Sequence, residues 1–385
     1  MANVLTDLAA DIYKAADIVG REQIGLIPSV TVNGGSERAA FGDTVRSHVT
    51  RKSTVNTSYT PAMTIPEGDD QTVGNKTMTI DQVANVQIPW TGEDIRHVNN
   101  GSGYETIYGD QIAQAMRGIT NAIEGYLGTA IKNGSSRAVG TAATTPFASN
   151  FDIVAEARQI LVDNGTPMDG QVTMALNTAA GTKLRNLAQL QKANEAGNDQ
   201  LLRQGELLNL QGVMLKESAG IQLHTKGAGT GYLVNGAAAV DDTTVTLDTG
   251  TVNTTGIKAG DVVTFAADTD NKYIVGTGLT AVSGSIILNE TGLRNAIADN
   301  NAMTIGASYT GNVMFHRNAV ELVARAPEQP FGGDAAVDRM TVQDPFSGLI
   351  YEVAVYKGYG KTMIDVTTFY AAKVWKPDFV ATILG

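Results

Sequence analysis

Residues 104–132 read YETIYGDQIAQAMRGITNAIEGYLGTAIK and carry a sustained helical pattern. Apolar side chains recur every three or four positions, which predicts one helix with a buried face. The members of this stripe are Ile107, Ile112, Met116, Ile119, Ile123, Leu127 and Ala130. At 1.5 Å per residue the helix would span about 44 Å. We therefore expect it to form the spine of the fold, and we call it the spine helix.

Four glycines interrupt the spine helix at Gly109, Gly118, Gly125 and Gly128. Each costs about 0.5 to 1 kcal/mol relative to alanine inside a helix. Two explanations remain open. Either other backbone segments pack closely at these positions, or the glycines are flex points at which the helix bends in different subunit environments.

The residues before the spine helix indicate an arm and a long loop. Residues 1–20 have helical amphipathic spacing, and glycine and proline then break the pattern, which predicts an N-terminal arm over 1–40. Residues 43–50 and 78–88 are β-branched and flank a polar tip that contains Glu67, Asp69 and Asp70. The two extended segments and the tip make a loop of roughly 45 residues, and loops that long are usually functional or disordered. An ordinary surface loop would give the same pattern.

The residues after the spine helix alternate between strand and helix. The pattern predicts a helix from residue 151, capped by Asn150 and ended by Asn164 and Gly165, then a strand over 171–176 and a helix over 179–194. Strand-and-helix character returns over 312–325, and half-buried strands are predicted over 349–356, 361–366 and 371–375. These segments predict a mixed α+β domain.

Residues 226–310 differ in composition from their surroundings. They contain 15 threonines and 12 glycines, with four basic residues against eight acidic ones. Short strands separated by turns predict a small all-β domain. The expected strands are 245–247, 261–265, 273–275, 285–288 and 303–305. Glycines at its two ends are candidate hinges of an insertion: Gly227, Gly229, Gly231 and Gly311.

The overall composition excludes several classes of function. The 385 residues include no cysteine, so disulfides, thiol nucleophiles and cysteine-ligated metals are ruled out. A net charge of −11 argues against a dedicated nucleic-acid binder and against polybasic membrane attachment. Asp7, Asp11 and Asp17 interrupt the stretch where a signal peptide would be apolar, so we expect folding in the cytoplasm.

Catalytic and cofactor motifs are not found in the sequence. His48, His97, His224 and His316 have no histidine three or four residues away, which excludes an HExxH metal site. The glycines near residues 227 and 358 fail the dinucleotide and Walker patterns. Residues 268–271 begin like a calcium loop without its later ligands, so a solvated turn is expected. We therefore predict no catalytic residue, no metal and no cofactor, and a protein that is not an enzyme.

Several phrases of the sequence carry a resemblance to a known family. They are FGDTV at 41–45, GIKAGDV at 256–262, FHRNAV at 315–320 and WKPDF at 375–379, together with the arm over 1–38. With the order of arm, long loop, spine helix, central domain and closing strands, they resemble the major capsid proteins of tailed bacteriophages, the Hong Kong 97 phage fold. Within that group the chain looks most similar to the coat proteins of short-tailed Salmonella phages, which carry an inserted β-domain.

The resemblance implies an α+β phage capsid fold with peripheral and axial domains. The implied parts are an N-terminal arm (1–40), an extended loop with its flanking strands (41–90), the spine helix and peripheral domain (91–135), the first part of the axial domain (136–225), an inserted all-β domain (226–310) and the return to the axial and peripheral domains (311–385). The loop over 46–79 would reach across a neighbouring subunit, with Glu67, Asp69 and Asp70 as candidate inter-subunit contacts. A hydrated tip remains the alternative for these acids.

The resemblance also implies function and partners. The protein would be a virion coat protein whose copies form hexamers and pentamers of an icosahedral shell around double-stranded DNA. A procapsid would assemble in the host cytoplasm with a separate scaffolding protein and a portal at one vertex, then expand as DNA contacts its inner face non-specifically. No membrane is involved, and the lysine–asparagine cross-link of some relatives is not assigned. The alternative is a β-rich phage decoration or tail protein that binds its target through residues 226–310.

Overall fold

The computed structural model describes residues 22–35, 37–50, 60–61, 63–65, 73–99, 104–148, 150–187, 190, 209–344 and 346–385. The predicted helix over 1–20 and the acidic tip with Glu67, Asp69 and Asp70 lie outside these residues. Within the described ranges, the α-helices whose bounds are defined are, in chain order, α1 (Gly92–Asn99), α2 (Tyr104–Asn133), α3 (Asp152–Asp163) and α4 (Thr178–Arg185).

The strands among the described residues form two large sheets and one hairpin. In chain order they are β1 (Thr31–Gly34), β2 (Thr44–Thr50), β3 (Val73–Thr79), β4 (Gln82–Thr91), β5 (Arg137–Gly140), β6 (Val172–Leu176), β7 (Met214–Glu217), β8 (Leu223–His224), β9 (Leu233–Val234), β10 (Thr244–Asp248), β11 (Val262–Phe265), β12 (Asp268–Thr277), β13 (Gly284–Leu288), β14 (Met303–Ile305), β15 (Tyr309–His316), β16 (Val320–Arg325), β17 (Ala336–Gln343), β18 (Ile350–Lys357), β19 (Lys361–Val374) and β20 (Val380–Leu384).

The predicted spine helix is confirmed as α2, which ends one residue beyond the expected position. Its stripe is buried in the largest hydrophobic cluster, where it packs against strands β4 and β19. The buried members of this stripe with described side chains include Ile112, Met116, Ile119, Ile123 and Leu127. A helix of this length therefore takes its stability from one continuous apolar face rather than from intrinsic propensity.

The first sheet has the order β1-β16-β19-β18-β17, with β4 also paired to β19. Strand β19 is a single 14-residue strand, so the prediction of two strands over 361–366 and 371–375 is wrong. Val366, Thr367 and Thr368 are all buried. The alternation of buried and exposed side chains stops at these three residues, because both faces of the sheet are covered. The sequence pattern therefore predicts a break between two strands where there is one continuous strand.

The second sheet starts with the order β7-β6-β15-β20-β5 and is covered by α3 and α4, whose apolar residues form a second cluster. The predicted strand over 171–176 is confirmed as β6. Helix α3 is confirmed, but Phe151 occupies its N-cap position without a side-chain cap, and the Asn150 amide instead donates to Asp152. The helix predicted over 179–194 begins as α4, and residues 188–189 and 191–194 lie outside the described part.

Residues 226–310 contain a third hydrophobic cluster, whose buried members run from Tyr232 to Ile305. The five strands expected there are present as β10, β11, β12, β13 and β14. The chain enters and leaves this region at neighbouring points, because β8 pairs with the start of β15. The region also joins the second sheet, since β12 pairs with β5.

Two further sequence expectations are corrected. Residues 312–325 form strands β15 and β16 around one short 3-10 turn, not strand and helix. Asp268 does not lie in a solvated turn: it is 3% exposed, opens β12, and accepts hydrogen bonds from Tyr273 Oη at 2.5 Å and Asn271 Nδ2 at 2.9 Å. These two donors replace part of the water shell that the carboxylate loses on burial.

Candidate assembly elements and buried junctions

The segment that enters the described structure at residue 22 lies along the spine helix. Glu22 pairs with Arg117, whose Nε donates to it at 2.6 Å, and with the Asn121 amide at 2.5 Å. The Arg117 and Asn121 hydrogen bonds lower the pKa of Glu22 to about 2. Leu26 and Ile27 follow and are fully buried in the spine-helix cluster. This segment is therefore held to the spine helix by the ion pair of Glu22 with Arg117 and by the burial of Leu26 and Ile27.

A buried carboxylate, Glu124, holds the same segment to the spine helix. Its side chain accepts backbone N–H bonds from Gly25 at 2.8 Å, Leu26 at 2.7 Å and Ile27 at 3.0 Å, and a hydroxyl bond from Ser218 at 2.6 Å. Glu124 is 1% exposed. A carboxylate buried to this extent is stable only when donors replace its water shell, and here four donors do so. Glu124 thus ties three distant segments together.

The spine-helix glycines differ in their surroundings. A Cβ at Gly128 would lie 3.2 Å from Leu26 Cδ1, and one at Gly125 would lie 3.3 Å from Gln222 Nε2, with the Gly220 carbonyl oxygen within 3.7 Å of both. Close packing therefore accounts for these two positions. Gly109 is buried, whereas a Cβ at Gly118 would meet nothing within 4 Å. Whether any of the four acts as a flex point remains a prediction.

Substitution of Gly118 separates packing from flexibility. Because the site is open, Gly118→Ala is expected to raise the free energy of unfolding of the free subunit by about 0.5 to 1 kcal/mol through helix propensity. Chemical denaturation measures this change. If Gly118 is also a flex point, the stabilised variant will form fewer closed particles than the wild type. A stability loss instead would show that Gly118 is tightly packed.

The hairpin of β2 and β3 carries the extended loop and contacts the region of residues 226–310. Lys76 on β3 donates to both carboxylate oxygens of Glu290, at 2.9 and 3.1 Å, and to the Trp375 carbonyl oxygen at 2.8 Å. Lys373 also donates to the Thr77 carbonyl oxygen. These contacts hold the base of the loop against the body of the same chain.

The candidate hinge glycines lie in close contact with their neighbours. A Cβ on Gly227 would lie 2.2 Å from the Gly256 carbonyl oxygen, and one on Gly229 would lie 3.1 Å from the same atom. Gly231 has a φ of +72° and open space around it. Gly311 packs against the Lys132 side chain, where an added Cβ would lie 2.6 Å from Lys132 Cδ. Their role as hinges remains a prediction.

A chain of three buried polar side chains lies beside Gly227 and Gly311. Lys132 Nζ is 2.9 Å from His224 Nδ1, and His224 Nε2 is 2.9 Å from Asp261 Oδ1. Asp261 also accepts from the backbone N–H groups of Gly227 at 3.0 Å and Lys258 at 2.8 Å. We call Lys132, His224 and Asp261 the buried triad. It joins the end of the spine helix to strand β8 and to the turn before β11.

The buried triad predicts a specific alkaline pH dependence. Burial, partly offset by the charge of Asp261, lowers the pKa of Lys132 to about 8. An unfolded lysine has a pKa of about 10.4, so between these values the unfolded chain binds more protons and stability rises with pH, by at most about 3 kcal/mol. Denaturation at pH 8 and pH 10 should show this rise, and Lys132→Met should reduce it. Burial also lowers the pKa values of Lys216 and Lys373, so these lysines account for the part that remains.

The control for this prediction is Lys361→Met, which changes an exposed lysine at the start of β19. It should keep the wild-type rise between pH 8 and pH 10. An equal rise in Lys132→Met would contradict the assignment, because other titrating groups would then account for it.

Sequence reasoning missed Glu124 and the buried triad. His224 was set aside because it has no histidine neighbour at ligand spacing, yet its partners lie 92 and 37 residues away along the chain. His316, by contrast, pairs with the half-exposed Asp169 at 3.2 Å. Within the described residues, no group of three or more His, Asp and Glu side chains is placed to hold a metal ion. None of the helices described is long and apolar enough to cross a bilayer.

Comparison with solved structures relates this architecture to phage shells. The chain is similar to a structure from Mycobacterium phage Che8, with 16% identity over 95% of this chain and 92% of that one, and a TM-score of 0.52. It is similar to the capsid structure of the cyanophage P-SCSP1u, with 12% identity over 95% and 89% of the two chains, and a TM-score of 0.52. No protein-family model matches the sequence, and no curated protein is significantly similar to it. The chain thus has an α+β phage capsid fold.

Proposed function

We propose that the chain is a major capsid protein whose copies form the icosahedral shell of a tailed bacteriophage. The observation that carries the proposal is the capsid-fold likeness over 95% of the chain, together with a 30-residue spine helix laid across the first sheet. In such a shell, copies associate by heterologous contacts that close into hexamers and pentamers around double-stranded DNA.

In this proposal each part of the chain corresponds to one domain of the capsid fold. The first sheet and the spine helix form the peripheral domain, and β5, β6, β7, β15 and β20 with α3 and α4 form the axial domain. Residues 226–310 are an inserted domain, a reading supported by their separate hydrophobic cluster and by the neighbouring positions of β8 and β15. That insertion supports placement beside the coat proteins of short-tailed Salmonella phages. The loop over 46–79, with Glu67, Asp69 and Asp70, reaches a neighbouring subunit.

The proposed partners are further copies of the chain, a separate scaffolding protein, a portal at one vertex, and packaged DNA. The net charge of −11 is in keeping with an inner wall to which DNA does not adhere, so that DNA can enter and leave the shell. The protein would assemble in the host cytoplasm and end in the virion.

Negative-stain electron microscopy of the full chain, expressed with and without the scaffolding protein of its phage, tests this proposal. We expect closed shells of uniform size with the scaffold, and fewer or irregular particles without it. A chain that stays strictly monomeric in both samples would contradict the proposal. A chain that binds only to preformed shells or tails would instead support a decoration or tail protein.

A further inference from the structure

The buried triad places three ionisable side chains together in the interior of the protein. Lys132, His224 and Asp261 are 6%, 8% and 0% exposed, and they come from three segments that are distant in sequence. Two of the three can carry positive charge, and only Asp261 carries negative charge. Buried ionisable groups are costly unless each is paired and hydrogen-bonded, so the number of protons held by this group decides its stability.

The hydrogen bond between Lys132 Nζ and His224 Nδ1 requires one free lone pair. With a single positive charge on the two side chains, one nitrogen donates and the other accepts, whichever of them holds the proton. The charge of Asp261 then balances that single positive charge. A second proton leaves no acceptor between two cations 2.9 Å apart, so the closed geometry holds only one positive charge on the two side chains.

Among the residues that the structure describes, no neighbouring group supplies a second counter-charge. The Tyr309 ring packs against His224 at 5.2 Å and Lys132 at 6.0 Å, and its hydroxyl donates to the Gly260 carbonyl oxygen at 2.6 Å. Burial and the charge of Asp261 raise the pKa of Tyr309 far above its usual range, so the phenol stays neutral. Lys258, the other charged group in contact, adds positive charge beside Asp261 and donates through Nζ to the Thr225 carbonyl oxygen at 3.4 Å.

Protons can reach the pair from one side. A cavity of about 150 Å³ is lined by Lys132 and His224 together with the exposed Leu223 and with Thr129. On the other side, the carboxylate of Asp261 fixes the backbone N–H groups of Gly227 and Lys258, which begin the region 226–310 and the turn before β11. Protonation at the cavity is therefore coupled to the backbone at the entrance of that region.

We propose that the buried triad is a proton-controlled latch, which holds residues 226–310 against the end of the spine helix at neutral pH and releases them when a second proton enters the Lys132–His224 pair. Acid supplies that second proton, so release is expected when the pH is lowered below neutral. Opening takes up a proton, and the closed state therefore weakens as the pH falls. This property belongs to the single chain and does not rest on shell formation.

Hydrogen exchange of the full-length chain, read by mass spectrometry at pH 7.5 and pH 5.5, tests the latch. After correction for the intrinsic pH dependence of exchange, peptides covering residues 226–231 and 257–261 should exchange at least fivefold faster at pH 5.5. Peptides from the second half of the spine helix should keep their protection. Equal protection of the entrance peptides at both pH values in the wild-type chain would overturn the proposal.

Variants assign the response to the triad. His224→Gln keeps an amide donor for Asp261 but does not titrate, and Lys132→Met leaves one base beside one acid, so both should lose the acid-induced exchange. His316→Gln, which removes the histidine of the His316–Asp169 pair, should keep the wild-type response. Acid-induced opening in His224→Gln or Lys132→Met, or its loss in His316→Gln, would overturn the proposal.

Discussion

Replacing Glu124 with leucine is expected to lower the free energy of unfolding by about 3 to 5 kcal/mol. The substitution removes the acceptor of three backbone N–H groups, those of Gly25, Leu26 and Ile27, and of the Ser218 hydroxyl. These donors are buried, and no water replaces the lost carboxylate. We also expect the segment from residue 22 to detach from the spine helix, which limited proteolysis would detect at that segment.

Two controls define this result. Glu124→Gln retains one acceptor oxygen and the side-chain volume, so it should lose less stability than Glu124→Leu. Glu156→Leu changes an exposed glutamate on α3 and should alter stability by less than about 0.5 kcal/mol. Denaturant unfolding followed by circular dichroism measures all three variants. Equal stability of Glu124→Leu and the wild type would show that the carboxylate is not a structural anchor.

The second large effect is expected at Gly227. A Cβ there would lie 2.2 Å from the Gly256 carbonyl oxygen and 2.7 Å from Asp261 Oδ2, and the closer of these atoms belongs to backbone that cannot rotate away. Gly227→Ala should therefore lower the free energy of unfolding by about 2 to 4 kcal/mol, the range of overpacked buried sites. Thermal unfolding measures the loss.

Gly231→Ala is the matched control, because Gly231 is at a φ of +72° with open space around it. Alanine there meets only the left-handed backbone penalty of about 1 to 2 kcal/mol. The comparison also tests the hinge prediction. A Gly227→Ala chain with wild-type stability that fails only in particle assembly would support a hinge, whereas a large stability loss in the free subunit supports close packing.

The elements that the sequence predicts best are those in which local periodicity and burial agree. The spine helix and strands β10, β13 and β14 follow this rule, because each has one buried face. Strand β19 does not, since three consecutive buried residues at its middle hide the alternation. A solvated turn is expected at Asp268 because the later ligands of a calcium loop are missing, whereas in the folded chain the Tyr273 hydroxyl donates to this buried carboxylate.

The candidate site was less accessible to sequence reasoning than the fold. Glu124 binds residues that lie 97 to 99 positions earlier in the chain, and nothing near it in sequence signals a buried acceptor. Lys132, His224 and Asp261 are equally hard to predict, because they come from the spine helix, β8 and the turn before β11 and meet only in the folded chain. The specificity of the resemblance to capsid proteins comes from the order of the elements. The identities of 16% and 12% to the two solved structures agree with this, because the fold is shared although most of the residues differ.

Cryo-electron microscopy of particles purified from the proposed phage source of this chain tests the central claim most directly. A shell lattice of pentamers and hexamers is predicted, in which each subunit shows a 30-residue helix across the first sheet and the region 226–310 as separate density. A lattice built from a different protein, with this chain on its outer surface, in the tail or absent, would contradict the claim.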